Sequence, residues 1–312
     1  MDTTRKNGQG GLLLGFIGVL CFSLTLPATR VAVPELGAVV VGLGRAVVAA
    51  ALAGLVLALR REPFPKSHAV AIVTTGLGVV IAFPLLSALA LRTVPAVHGA
   101  VIVGFLPAAT AIWATLRGGE RPSALFWLVS GLGLAAIVAF AEVQGAGSLQ
   151  APDLLLFFAV ALGAYGYAEG ARVSRALGGW RVICWALVLT APMLVLPVGY
   201  DIVRQGGLHA HAAAWTGFAY VAIVSMFLGF FAWYAGLARG GIARVGQLQL
   251  IQLPLTALWG VVLLREHLSG AMVATGLIVV ASAAAAVRLR VASAPVRRSR
   301  SADRHLGDAE RR

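Results

Sequence analysis

Charge is scarce in this 312-residue chain. Asp, Glu, Lys and Arg make up 12% of it, against 59% hydrophobic residues. A soluble domain carries about 25% charged residues, so a water-facing fold of this size could not hide so much apolar surface. Cysteine is limited to Cys21 and Cys184, both inside apolar runs. That excludes a disulfide scaffold and reads as two inert core thiols. There is no zinc-ligand array, no Gly-rich phosphate loop ending in Lys-Ser/Thr, no His-Glu-x-x-His and no pair of intramembrane carboxylates. The chain therefore carries no enzyme constellation, metal site or cofactor signature. Hydrolysis-driven transport is disfavoured because no nucleotide-binding domain is visible. What is abundant is apolar sequence, with a mean hydropathy of +0.88. The chain reads as a polytopic membrane protein.

The net charge of +13 does not point to nucleic acid. The cations sit in short runs between apolar stretches, and eight Arg fall from Arg288 onward. No basic helix with interleaved aromatics is present. Arg5 and Lys6 before an apolar run resemble a signal peptide, but many similar runs follow, which predicts a retained first span.

A helix crosses the hydrocarbon layer in about 20 residues. Cutting at charge and turn clusters predicts ten spans: Leu12–Val33, Ala38–Leu59, His68–Leu91, Ala96–Leu116, Ser123–Val143, Asp153–Arg172, Trp180–Tyr200, Ala214–Ala238, Val245–Leu264 and Ser269–Arg288. The runs are long, rich in Leu and Ala, and lack strict alternation, so helices are expected rather than strands. The excess of Lys and Arg in alternate loops puts both chain ends in the cytoplasm. Twenty of the 25 fall on that side, many of them in the tail.

The halves repeat at an offset of 146 residues. Thr110-Ala111-Ile112-Trp113 returns as Thr256-Ala257-Leu258-Trp259, Glu120 as Glu266, and Leu91 as Leu237. Five spans per copy is an odd number, so the second copy is expected upside down relative to the first. Inverted repeats place a solute site near the midplane between the halves. The expected organisation is a cytoplasmic amino end (1–11), a first five-helix repeat (12–147), a second (148–290) and a basic disordered tail (291–312). The fold class is an all-α membrane protein of ten transmembrane helices in two inverted five-helix repeats.

Gly44-Arg45-Ala46 in span 2, followed by Pro107-x12-Glu120-Arg121, resembles the EamA repeat of the drug/metabolite transporter superfamily. Pro254-x11-Glu266 resembles the same signature one residue short, with His267 in place of the usual cation, and span 7 lacks the family's Arg. The resemblance implies ten helices with both ends cytoplasmic. It also implies export or exchange of small metabolites, among them amino acids, including aromatic ones. It carries over no catalytic residue.

Polar groups inside a span are costly and each needs an account. Arg45 lies in the outward half of span 2. It suits a substrate carboxylate through paired N–H donors, or it is a structural Arg reaching the surface or backbone carbonyls. Glu169 suits an ammonium group or a proton, or it forms an ion pair with Arg172 at i+3. Tyr165 shares its face and suits stacking on a solute or packing. His98, at the outer edge of span 4, is either a titrating group or simply solvated. Gln247, Gln249 and Gln252 offer amides to a zwitterion, or act as interhelical glue. On α-helical spacing, Gln249 and Gln252 share a face and Gln247 points elsewhere. Trp185, Trp233 and Tyr234 line the path or belt the interface. Pro27, Pro84, Pro107, Pro192 and Pro254 sit within spans and predict kinks, either as bending points or as static bends. Gly11/Gly15 and Gly236/Gly240 have GxxxG spacing, which licenses close packing.

The sequence thus predicts an inner-membrane carrier exporting small organic solutes, amino acids or related metabolites, by alternating access. Its cavity is expected between spans 1, 3, 4, 6, 8 and 9. A carrier of drugs or nucleotide-linked sugars with the same fold is the alternative, although phosphorylated cargo calls for several cavity cations and only Arg45 is a good one. A membrane-embedded enzyme or scaffold would need clustered titratable groups or a long partner-binding segment. The expected partners are the small-molecule substrate and the lipid bilayer, not nucleic acid. The sequence gives no oligomeric state.

Overall fold

The computed structural model describes residues 2–90, 102–143, 151–264, 270–289 and 291–293. Eight of its helices are long and apolar enough to cross a membrane. Two further helices, Leu106–Gly118 and Ala124–Val143, stand at the places of predicted spans 4 and 5, giving ten rods, numbered here as spans 1–10, among the described residues. The chain is an all-α membrane protein, as the ten apolar runs predict. Most backbone groups within such a rod are bonded internally, as hydrocarbon requires, and those that proline frees need partners elsewhere.

The pairing of the rods reveals how the halves are related. Span 1 (Asp2–Ser23 and Thr25–Leu36) packs along span 8 (Ala212–Gly240), and span 3 (Lys66–Ala90) packs along span 6 (Asp153–Leu177). Spans 2 and 7, 4 and 9, and 5 and 10 pack on each other. Exchanging the first five spans with the second five maps this pattern onto itself. With an odd number of spans in each half, the exchange turns one half over.

Several spans are broken rather than continuous. Span 1 is interrupted at Leu24, ahead of Pro27. Span 3 contains a π-helical segment, Leu77–Ala82, just before Pro84. Span 8 contains another, Tyr220–Gly229, at the repeat-equivalent place. Span 2 carries a third, Val40–Gly44, which delivers Arg45. Wide turns of this kind recur at functional sites. Span 9 runs from Ile242–Gly246 through a tight 3₁₀ segment, Gln247–Ile251, into Gln252–Leu264.

The prolines act mostly as helix starters. Pro27, Pro84, Pro107 and Pro254 each lie in the first turn of the helix that follows a break. There the missing N–H costs little. Pro192, with Pro197, lies inside the unbroken span 7 (Gly179–Arg204).

Pro27 leaves the Ser23 carbonyl without its i+4 donor. Span 9 supplies one from the other half: Thr256 Oγ1 donates to Ser23 O at 2.8 Å, and Trp259 Nε1 donates to Ser23 Oγ at 2.9 Å. The break in span 1 is thus held by the repeat motif itself. Trp113, the equivalent of Trp259, likewise ties its span to span 6 by donating to Ala161 O at 3.1 Å.

The GxxxG pairs meet each other. A Cβ on Gly11 would land on the Gly240 backbone, and one on Gly236 would land on the Gly15 backbone. Spans 1 and 8 therefore touch main chain to main chain near the chain's amino end, as small residues permit in lipid.

One element departs from the all-helix expectation. Glu120–Pro122 pairs antiparallel with Val291–Ser293, with Glu120 opposite Ser293. This two-stranded clip joins the span 4–5 turn to the chain just beyond span 10. Arg244 Nε donates to the Val287 carbonyl beside it.

Candidate functional site

The interior of the bundle holds two different polar regions. The first lies at the end where the chain begins, here called the terminal face. Glu120 is 4% exposed and has both oxygens engaged. Oε1 accepts from Arg175 Nη2 at 2.8 Å and from Ile242 N at 2.7 Å, and Oε2 accepts from Ala243 N at 2.8 Å. The carboxylate thus caps the first turn of span 9, where orphan N–H groups favour an anion. Gly241 approaches it with φ of +92°, a conformation suited to glycine.

Glu169, 2% exposed, is bound by Arg172 through Nη2–Oε1 at 2.6 Å and Nε–Oε2 at 3.2 Å, with Arg117 of span 4 at 3.5 Å. Of its two sequence readings the ion pair is the one observed, and a second arginine joins it. In the 60–66 turn Glu62 takes a two-pronged bond from Arg181, at 2.7 and 2.8 Å. The Arg181 guanidinium beside it holds the Glu62 carboxyl below the usual carboxylate range. Trp185 belongs to this face: its ring meets Phe64 of the same turn edge-on at 5.1 Å.

The second region lies deeper, where the halves cross. Arg45 enters from span 2, and its Nε is buried with no hydrogen-bond partner among the described residues. It lies within electrostatic reach of Tyr167 of span 6, and the Tyr167 hydroxyl faces the Gln249 side chain of span 9. Gln247, fully buried, donates Nε2 to Pro107 O at 3.5 Å, which fixes the amide and turns Oε1 away from any partner. Gln249 Oε1, Thr110 Oγ1 and Trp233 Nε1 are also buried and unpartnered. Buried polar atoms nearly always find partners, and among the described residues five from spans 2, 4, 8 and 9 do not.

Aromatic rings wall this region. Tyr167 meets Trp233 at 5.5 Å and Phe230 at 6.2 Å, and Phe22 of span 1 meets Phe230 at 4.9 Å. Tyr234 lies beside Phe230 at 5.7 Å and donates its hydroxyl to Gly166 O at 3.2 Å.

Arg45, Gln247, Gln249, Trp233 and Tyr234 are therefore gathered around the crossing. Tyr165 is elsewhere: it meets Trp113 edge-on at 5.0 Å along the span 4–6 seam. Gln252 is half-buried at the start of the helix after the tight segment. Across the 3₁₀ segment each residue turns about 120°, so Gln249 and Gln252, three apart, stay on one face and Gln247 lies on another, as drawn for the α-helix. Gln247 and Gln249 reach spans 4 and 6 respectively. His98 lies outside the described residues.

Sequence reasoning passed over Tyr167, Phe22, Phe230 and Thr110. For Tyr167 a signal existed. Gly163, Ala164, Gly170 and Ala171 mark the packed face of span 6, and Tyr167 sits at its centre, while Tyr165 is about 200° away around the helix.

The comparisons with known proteins agree with this architecture. The EamA-like transporter family model matches twice, over residues 9–141 and 150–288. The uncharacterized transporter YdeK of Bacillus subtilis (strain 168) is 44% identical over 279 residues, covering 89% of this chain and 97% of that one. A crystal structure of another protein covers 90% of this chain and 97% of its own, with a TM-score of 0.71 at 20% identity, and so shares the fold. Two family matches that between them cover nearly all ten spans, and a relative aligned end to end, make this chain a multi-pass membrane protein of the EamA-like transporter family.

Proposed function

We propose that the chain exports small organic solutes, amino acids or related metabolites, aromatic ones among them, across an inner membrane by alternating access, with both chain ends cytoplasmic. The observation that carries this reading is the set of buried, unpartnered polar atoms where the two halves cross. Each costs about 1–3 kcal/mol while it lacks a partner. A solute with a carboxylate, a hydrogen-bonding head and an apolar body satisfies them. Arg45 offers a charged donor, Gln247 and Gln249 offer acceptors, and Phe22, Tyr167, Phe230 and Trp233 offer apolar walls.

Glu169 has another part in this reading. Already bonded to Arg172 and Arg117, it ties span 6 to span 4 at the terminal face instead of meeting the cargo. Phosphorylated cargo is less well served, because Arg45 is the one cation of the crossing region among the described residues.

The test is flux through purified protein in liposomes. A panel of amino acids with their keto and N-acyl derivatives should yield at least one solute that moves down its gradient faster than in protein-free liposomes. Folded protein that moves none of the panel overturns the reading.

A further inference from the structure

The crossing region is uneven in charge. We infer that it selects solutes of net charge −1, carboxylates without an ammonium group, over amino-acid zwitterions of the same shape. This rests on the transport reading above and adds the charge of the cargo.

Arg45 keeps its positive charge in any protein setting. Among the described residues no carboxylate lies against it. The group in electrostatic reach is the Tyr167 hydroxyl. The buried carboxylates are engaged elsewhere. Glu120 is held by Arg175 and two backbone N–H groups, Glu169 by Arg172 and Arg117, and Asp153 has its own partner. The other unpartnered groups, Thr110, Trp233, Gln247 and Gln249, are neutral. The described part of the crossing therefore holds one uncompensated positive charge, costly at this depth.

A monocarboxylate makes the region neutral. A zwitterion places its ammonium against neutral oxygens and rings and leaves the total at +1. A cationic amide adds to it. The fixed charges of a carrier return to their starting places after a full cycle, so the net charge moved is that of the cargo. Transport of a monoanion is then electrogenic and responds to membrane potential, whereas transport of a zwitterion does not.

The experiment uses three probes with one body: N-acetylphenylalanine (charge −1), phenylalanine (0) and phenylalaninamide (+1). They are loaded into liposomes bearing the full-length protein at neutral pH, with a potassium diffusion potential set by valinomycin. The expected result is that N-acetylphenylalanine moves at least tenfold faster than the other two. A potential of 100 mV, negative inside, should also shift its steady-state distribution outward about fifty-fold. Arg45→Gln should abolish the tenfold preference, and Arg45→Lys should keep its direction. If either variant fails to fold, the wild-type comparison decides alone. Phenylalanine moving as fast as its N-acetyl form, with no response to potential, overturns the charge selection and leaves the transport reading standing. No flux of these probes or of the wider panel overturns both.

Discussion

Among the described residues, the polar contacts at the two ends of the bundle differ in burial. At the terminal face, buried carboxylates join spans that are distant in sequence: Glu120 to Arg175 and the start of span 9, and Glu169 to Arg172 and Arg117. Spans 1 and 8 touch main chain to main chain there through Gly11, Gly15, Gly236 and Gly240. At the opposite face, among the described residues, Glu35 accepts from the His211 backbone N–H at 2.6 Å and lies 3.0 Å from its ring Nδ1, with side chains 33% and 92% exposed. The Asp201–Gln205 bond there is also exposed. The seam between spans 3 and 6, counterpart of the span 1–8 seam, has its close glycine contacts at Gly78, Gly163 and Gly166 in the middle of the spans. Toward the opposite face an apolar recess opens between Gly42 and Leu43 of span 2 and Pro84, Leu85 and Leu89 of span 3. Among the described residues, the carboxylates that tie the terminal face are buried, whereas the Glu35–His211 contact at the other is exposed and weakened by water.

Breaking the buried contacts of the terminal face should have the largest effect. Glu120→Ala strands Arg175 and two backbone donors. It is expected to lower stability by about 4 kcal/mol, as for two buried backbone donors left unpaired at about 1–3 kcal/mol each, seen as a fall in Tm of purified protein in detergent. Gly236→Leu forces span 1 away from span 8 and should cost about 3 kcal/mol by overpacking. Gly42→Ala, whose added methyl meets nothing within 4 Å, should leave Tm unchanged. Thr256→Val removes the donor to the freed Ser23 carbonyl and should cost about 1 kcal/mol, within the range of interhelical hydrogen bonds in membranes.

The smallest effects belong to exposed pairs. Glu35→Gln at the opposite face should shift Tm no more than the scatter of repeat measurements. A result as large as that of Glu120→Ala would erase the contrast between the ends. Glu62 gives a pH version of the same point. Its folded carboxyl titrates below its ordinary value. The stabilisation by Arg181 is therefore complete above the ordinary carboxylate pKa of about 4.3. It disappears as pH falls through the lower folded value. Tm followed from pH 7 downward should lose the difference between wild type and Glu62→Gln only in that acid range.

Much of the architecture was legible because lipid imposes it. Apolar runs of about 20 residues can only be spans, and the Thr-Ala-x-Trp echo marks a real equivalence, with Trp113 and Trp259 both fastening their spans across the bundle. The i+3 spacing made the Glu169–Arg172 pair readable, but Arg117 lies 52 residues away and reaches Glu169 only through the fold. Glu120 stood out as part of a motif, yet its work as a cap depends on a helix start 122 residues later. The π-helical and 3₁₀ segments escaped notice because hydropathy does not report winding, and the π-helical turn of span 2 ends at Gly44, directly before Arg45. Tyr167 was hidden by its neighbour Tyr165, which the hydrophobic pattern does not distinguish from it.

A crossing region that carries solute must be reachable from one membrane surface. The most direct test is thiol labelling of Gln249→Cys in a background with Cys21→Ala and Cys184→Ala, using a membrane-impermeant maleimide applied to one face of oriented vesicles at a time. Labelling is expected from the face opposite the chain termini, slowed by a transported solute. Labelling from neither face, or labelling that no transported solute slows, would contradict it.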